Sequence, residues 1–131
     1  MSEIRKIATD AAPAAIGPYT QAIVHGGVLY CSGQIALDPQ SGELVKSDVE
    51  GQTRRCLENL EAVCRAAGTT LARALRITIY ATDLARFAAI NSAYEGFFAE
   101  IGGQPPARVT VGVAELPRGA DVEIDAIVAL R

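Results

Sequence analysis

The apolar residues of this chain keep a period of two, change to a period near 3.6, return to two, change again and end on two. That succession is the strongest constraint on the fold, because a layered sheet-and-helix domain satisfies it and few other architectures do. Ala22–His25 and Val28–Ile35 alternate on either side of Gly26-Gly27, as in a hairpin closed by a glycine turn. Ahead of them, Ile4–Ala8 reads as a short edge strand, and Asp10–Pro18 as a loop closing on Gly17-Pro18-Tyr19. Asp38–Glu43 holds Pro, Ser and Gly in a second loop.

From Asp48 the stripe Val49, Cys56, Leu57, Leu60, Val63, Cys64 and Ala67 predicts a helix, with Ser47 or Asp48 as N-cap and Gly68 as its stop. Ala74–Ala81 alternates like a half-buried strand. Asp83 caps a second helix that turns Leu84, Phe87, Ile90, Tyr94, Phe97, Phe98 and Ile101 inward, and Gly102-Gly103 with Pro105-Pro106 ends it. Ala107–Ala114 and Val122–Leu130 alternate around the turn Pro117–Asp121. The order β-β-β-α-β-α-β-β predicts one α+β domain over residues 1–131, a mixed sheet with both helices on one face. The opposite face, to which the alternation assigns Arg108 and Glu123, then needs solvent or a partner. That is a hint of oligomerisation.

Half of the residues are hydrophobic and 21% are charged, at the apolar end for a soluble domain. No run approaches the ~20 apolar residues of a membrane span, and the polar start Met1–Lys6 lacks the apolar core of a signal peptide. The expected compartment is the cytoplasm. A net charge of −3, an isoelectric point of about 5.1 and scattered basic residues disfavour nucleic acid as a partner. Cys31, Cys56 and Cys64 read as reduced thiols, the latter two in a helix core. His25, the only histidine, reads as a surface hairpin residue, so no metal is expected.

Nucleophile elbows, phosphate loops and dinucleotide fingerprints are missing from the sequence. Carboxylate, guanidinium, phenol and backbone remain, a set suited to proton transfer and to binding a small carboxylate. Arg108 opens an apolar strand and can offer a bidentate fork to an anion; from spacing alone a structural ion pair or a side chain reaching to water is the commoner explanation. Glu123 lies in the last strand, which the short turn suggests is next to the Arg108 strand. Near an apolar wall its pKa would rise; it can also be an ordinary exposed acid, and Asp125 competes with it by alternation. Tyr19 sits where a turn can pin a phenol at a pocket mouth, or pack its ring. At Ser32-Gly33 the chain can present backbone N–H groups, or simply bulge. Asn91 falls near the buried stripe of the second helix and can bond across an interface.

Read together, Ala15–Ala22 (AIGPYTQA), Cys31–Pro39 (CSGQIALDP), Asn91–Phe98 (NSAYEGFF), Pro106–Val111 (PARVTV) and Leu116-Pro117 followed by Val122–Ile127 (VEIDAI) resemble the RidA/YjgF family, in the expected order from near residue 4 to residue 130. The resemblance implies a chorismate mutase-like α+β fold with a six-stranded mixed sheet, assembled as a homotrimer with pockets in clefts between subunits. It implies a 2-iminobutanoate/2-iminopropanoate deaminase that hydrolyses reactive enamine and imine intermediates of pyridoxal phosphate enzymes, 2-aminoacrylate among them, to 2-keto acids and ammonia without a cofactor. By that resemblance Arg108 grips the substrate carboxylate and Glu123 activates or orients water. Tyr19, Ser32, Gly33 and Asn91 line the pocket, and Thr110 stands where some members carry cysteine. Two other functions compete: a keto acid or amino acid binding module without turnover, and an RNA-cleaving translation inhibitor, which the acidic composition disfavours.

Overall fold

A computed structural model describes residues 3–131; Met1 and Ser2, the start of the polar N-terminal run, lie outside them. Six strands form one sheet: β1 (Arg5–Ile7), β2 (Ala22–His25), β3 (Val28–Ile35), β4 (Ala74–Ala81), β5 (Ala107–Gly112) and β6 (Val122–Ala129), in the order β1-β2-β3-β6-β4-β5. Helices α1 (Val49–Ala66) and α2 (Phe87–Ile101) pack against each other over one face. The β4–β5 pair is parallel and the others antiparallel, so the sheet is mixed as expected.

Local chemistry explains the boundaries. Gly26 and Gly27 both have positive φ, the geometry of a tight hairpin turn that leaves His25 exposed. Asp48 rather than Ser47 caps α1, its carboxylate accepting the Gly51 N–H at 2.9 Å, a contact worth about 1 kcal/mol. Gly102 ends α2 in the left-handed region (φ 79°). The core lies between helices and sheet, where Leu29, Ile77, Ile79, Val122, Ile124 and Val128 meet Leu57, Leu60 and Val63 with almost no exposure. Each such side chain contributes roughly 1.5–3 kcal/mol of burial. Cys31, Cys56 and Cys64 are buried and unbridged. No helix among the described residues is long and apolar enough to cross a membrane.

Three expectations need correction. Leu84 and Phe87 are 48% and 41% exposed rather than turned inward. Asp83 caps a 3-10 turn, Leu84–Arg86, and the tighter winding rotates those residues off the stripe that α2 keeps from Ile90 onward. Second, β5 and β6 are not neighbours: β4 lies between them. The chain crosses over β4 after β5 and inserts β6 beside β3. Third, Arg108 is not on the open face. It is in register with Ile77, which pairs with Ala126, and both of these are buried on the helix side. Glu123 sits between Val122 and Ile124, which face the helices, so its own side chain points to the open face.

Candidate active site

The residues singled out from the sequence divide into two groups on opposite faces of the sheet. The first is a cleft of about 490 Å³ on the helix side, lined by Asn91, Tyr94, Phe98, Pro105, Pro106 and Arg108 among others. Arg108 is brought there because β5 begins immediately after the Pro105-Pro106 break. Its guanidinium carbon lies 4.9 Å from the Tyr94 ring centroid and 5.6 Å from that of Phe87. Two aromatic faces therefore fix the cation without neutralising it. The ion pairs among the described residues use Arg54, Arg55, Arg65 and Arg86, never Arg108. Among the described residues the structural salt bridge that competes as an explanation of Arg108 is not present, and its fork is free for an anion.

Around this cation lie polar atoms without partners. Asn91 Oδ1, the Tyr94 hydroxyl and Thr110 Oγ1 are all buried and accept or donate nothing among the described residues. Asn91 and Tyr94 are three residues apart on α2, and Thr110 is two residues beyond Arg108 on the same side of β5. Leaving such an atom dry costs about 1–3 kcal/mol each, so Asn91 and Tyr94, which line the cleft together with the free guanidinium, make a site prepared for a polar guest. Burial pushes the Tyr94 hydroxyl up to about 12 against the opposing pull of Arg108, so it stays protonated.

The second group lies at the other end of the sheet, on the open face. Ile16, Tyr19, Ser32, Gly33, Pro117 and Glu123 line a cleft of about 320 Å³. A bulge between Cys31 and Gln34 lifts Ser32 and Gly33 out of the β3–β6 register. Gly33 lets the Glu123 carboxylate lie close: a Cβ on it would stand 3.0 Å from Glu123 Cδ and closer still to the carboxylate oxygen, which would have to swing away. Ser32 is less available than its position suggested. Its N–H donates to Gln21 O at 3.0 Å and its hydroxyl to Thr20 O at 2.5 Å, so its donors hold the loop rather than a ligand.

Tyr19 folds back so that its hydroxyl accepts the Ile16 N–H at 3.3 Å, while its ring stays 45% exposed at the cleft mouth. Burial first, then the neighbouring Asp125 charge, raise the pKa of Glu123 above the ordinary carboxylate value. Asp125 itself accepts a hydrogen bond from the Tyr80 hydroxyl at 3.0 Å and lines a separate cleft with Tyr30, Arg76 and Thr78. Of the two acids, Glu123 is the one grouped with Tyr19 and Gly33.

Two contributors went unseen in the sequence. Gln21 is 5% exposed, and its amide accepts the Thr9 N–H and donates to Thr9 O and Pro13 O, pinning the loop that leads to Tyr19. By its spacing Tyr94 reads only as a core residue of the second helix. Its hydroxyl on an otherwise apolar helical stripe was the available signal.

The pattern of residues matches the family model described as Endoribonuclease L-PSP over residues 9–130. The 2-iminobutanoate/2-iminopropanoate deaminase of Escherichia coli strain K12 is 43% identical over 127 residues, 97% of this chain and 98% of the relative. The RutC family protein y4sK of Sinorhizobium fredii is 46% identical over the same shares of both chains. This chain belongs to the RidA/YjgF/RutC family. Among family structures, the E. coli YjgF gene product superposes with a TM-score of 0.93 at 42% identity, covering 97% of this chain and 99% of the other. The crystal structure of E. coli TdcF with bound serine gives 0.92 at 42% identity, covering 95% and 98%. The family fold is thus the one predicted, a six-stranded mixed sheet with two helices.

Proposed function

We propose that this RidA-family chain hydrolyses 2-iminobutanoate, 2-iminopropanoate and related enamine-derived imines to 2-keto acids and ammonia. We propose further that the reacting cleft forms between two copies of a homotrimer. The observation that carries this reading is Arg108, an unpaired guanidinium held over two aromatic rings at the edge of an apolar cleft. The names borne by the E. coli and Salmonella typhimurium relatives support it.

Within one copy, the Arg108 and Glu123 strands are two strand spacings apart, and the residues are offset by about three residues along them. The spacings and the offset are each roughly 10 Å, far beyond the reach of a small imino acid, and the side chains leave opposite faces. A neighbouring copy can bring the Tyr19–Gly33–Glu123 half-site against the Arg108 cleft. The open face is suited to such packing, since Tyr30 and Val111 are exposed on it beside the half-buried Ile127.

In this assembly Arg108 of one copy takes the carboxylate in a bidentate pair and sets the imine carbon beside water held near Glu123 of the next. The Glu123 carboxylate accepts a proton as water adds to the carbon. It passes that proton to the imine nitrogen, giving a carbinolamine, and then takes the proton of the adduct's hydroxyl and delivers it to the same nitrogen; as C=O forms the C–N bond breaks, releasing ammonia and the keto acid. No covalent bond to the protein forms. The raised pKa of Glu123 suits both halves of this exchange.

The test is a coupled assay. A threonine dehydratase or an amino acid oxidase supplies the imine, and keto acid release is followed with wild type and Arg108→Ala. Acceleration by wild type alone supports the reading. Acceleration by neither leaves the second reading, a keto acid or amino acid binding module, which the serine bound to E. coli TdcF favours.

A further inference from the structure

The Arg108 cleft contains a donor that neither the family names nor the site residues singled out from the sequence assign to ligand binding. Tyr94 is 6% exposed, and its hydroxyl has no partner among the described residues. The side chain lines the cleft and its ring supports the Arg108 guanidinium. A guanidinium only donates, so whatever anion it holds keeps lone pairs free after the fork has taken two of them. A hydroxyl fixed beside that fork can satisfy itself by donating to the same anion.

Two features argue that this is more than a packing tyrosine. Phenylalanine would fill the same space without stranding a hydroxyl, and Phe97 and Phe98 occupy the adjacent positions of the same helix and stack on this cluster. The orphaned hydroxyl is also not alone: Asn91 Oδ1 and Thr110 Oγ1 are unpartnered on the same side of the sheet. Asn91 Oδ1 and the Tyr94 hydroxyl are both stranded in the lining of the cleft that contains the free Arg108 cation.

We propose that Tyr94 is a substrate-contacting residue, its hydroxyl donating to the carboxylate that Arg108 grips. Tyr94 and Arg108 together then select a 2-oxo or 2-imino carboxylate over a neutral carbonyl or imine of the same size. This rests on the carboxylate-anchoring reading of Arg108. The hydroxyl remains a donor throughout the neutral range, since burial keeps it protonated.

Tyr94→Phe keeps the ring and removes only the hydroxyl. The measurements are 2-ketobutanoate binding by calorimetry, kcat and KM with the generated imine, and thermal melting of the ligand-free protein. The expected result is about a tenfold rise in the 2-ketobutanoate Kd and in KM, the scale of one lost hydrogen bond to a charged group. Melting should stay unchanged or rise, because an unsatisfied polar atom has gone. Unchanged Kd and KM overturn the proposal, and a fall in melting temperature with unchanged binding would assign the hydroxyl to structure. Weakened 2-ketobutanoate binding by Tyr94→Phe, together with a wild type that binds 2-ketobutanoate but shows no imine turnover, would overturn the deaminase reading and keep Tyr94. No 2-ketobutanoate binding by wild type would overturn the carboxylate site and Tyr94's part in it together.

Discussion

Arg108 and Glu123 leave opposite faces of one sheet, on strands separated by β4. A reaction that uses both must draw them from different copies. Mixing therefore gives the most direct test. Arg108→Ala and Glu123→Gln chains should each be inactive alone, at least a hundredfold down if a charge-assisted bidentate pair or the proton carrier is lost. Co-refolded together, they should regain part of the wild-type rate, because some clefts then receive an intact residue from each side. Recovery no greater than the sum of the two variants would place the site within one copy.

Glu123 predicts a dependence of stability on pH whose sign can be fixed. Its pKa in the folded chain lies above the ordinary value near 4.5, so the fold holds the proton more tightly than the unfolded chain does. Stability from this group is then complete below the unfolded pKa and is lost as pH rises through the folded one. Glu123→Gln should melt higher than wild type at neutral pH, and the gap should close below about pH 4. Melting curves across that range for the two proteins check it; a gap that widens on acidification contradicts it.

Gly33 is predicted to matter through the acid it faces. Gly33→Ala places a methyl against the flexible end of Glu123, which can swing away, so melting should shift by only a few degrees. Turnover should fall at least tenfold, as expected when a proton carrier is displaced by about 1 Å. Equal losses of stability and turnover would show that the bulge itself had collapsed.

The buried amide of Gln21 ties Thr9 and Pro13 to the start of β2. Gln21→Ala leaves those backbone groups unpaired and should cost about 2–3 kcal/mol in denaturant unfolding. Hydrogen exchange at the Thr9 amide should accelerate with it. Protection at Thr9 equal to wild type would remove Gln21 from its anchoring role.

What could be read from the sequence was what depends on neighbours along the chain. The glycine hairpin turn, the cap at Asp48, the limits of β4 and the glycine end of α2 each follow from local backbone chemistry. Period two also ordered Val122, Ile124, Ala126 and Val128 on the buried face correctly. It could not say which face of β5 meets the helices, because β5 is an edge strand whose residues are all partly open. Nor could a short turn reveal that β6 passes over β4. The grouping of Tyr19, Gly33 and Glu123 depends on a bulge, and the role of Phe87 as a support for Arg108 depends on a 3-10 turn. Both are departures from regular spacing, where periodicity is silent.

The separation of Arg108 from Glu123 by the thickness of the sheet has a consequence for how much of this protein is needed. If the two half-sites work only across a contact, a fully folded solitary chain is inert. Specific activity would then fall on dilution while every chain kept its core, and newly made chains would stay silent until enough accumulated to meet.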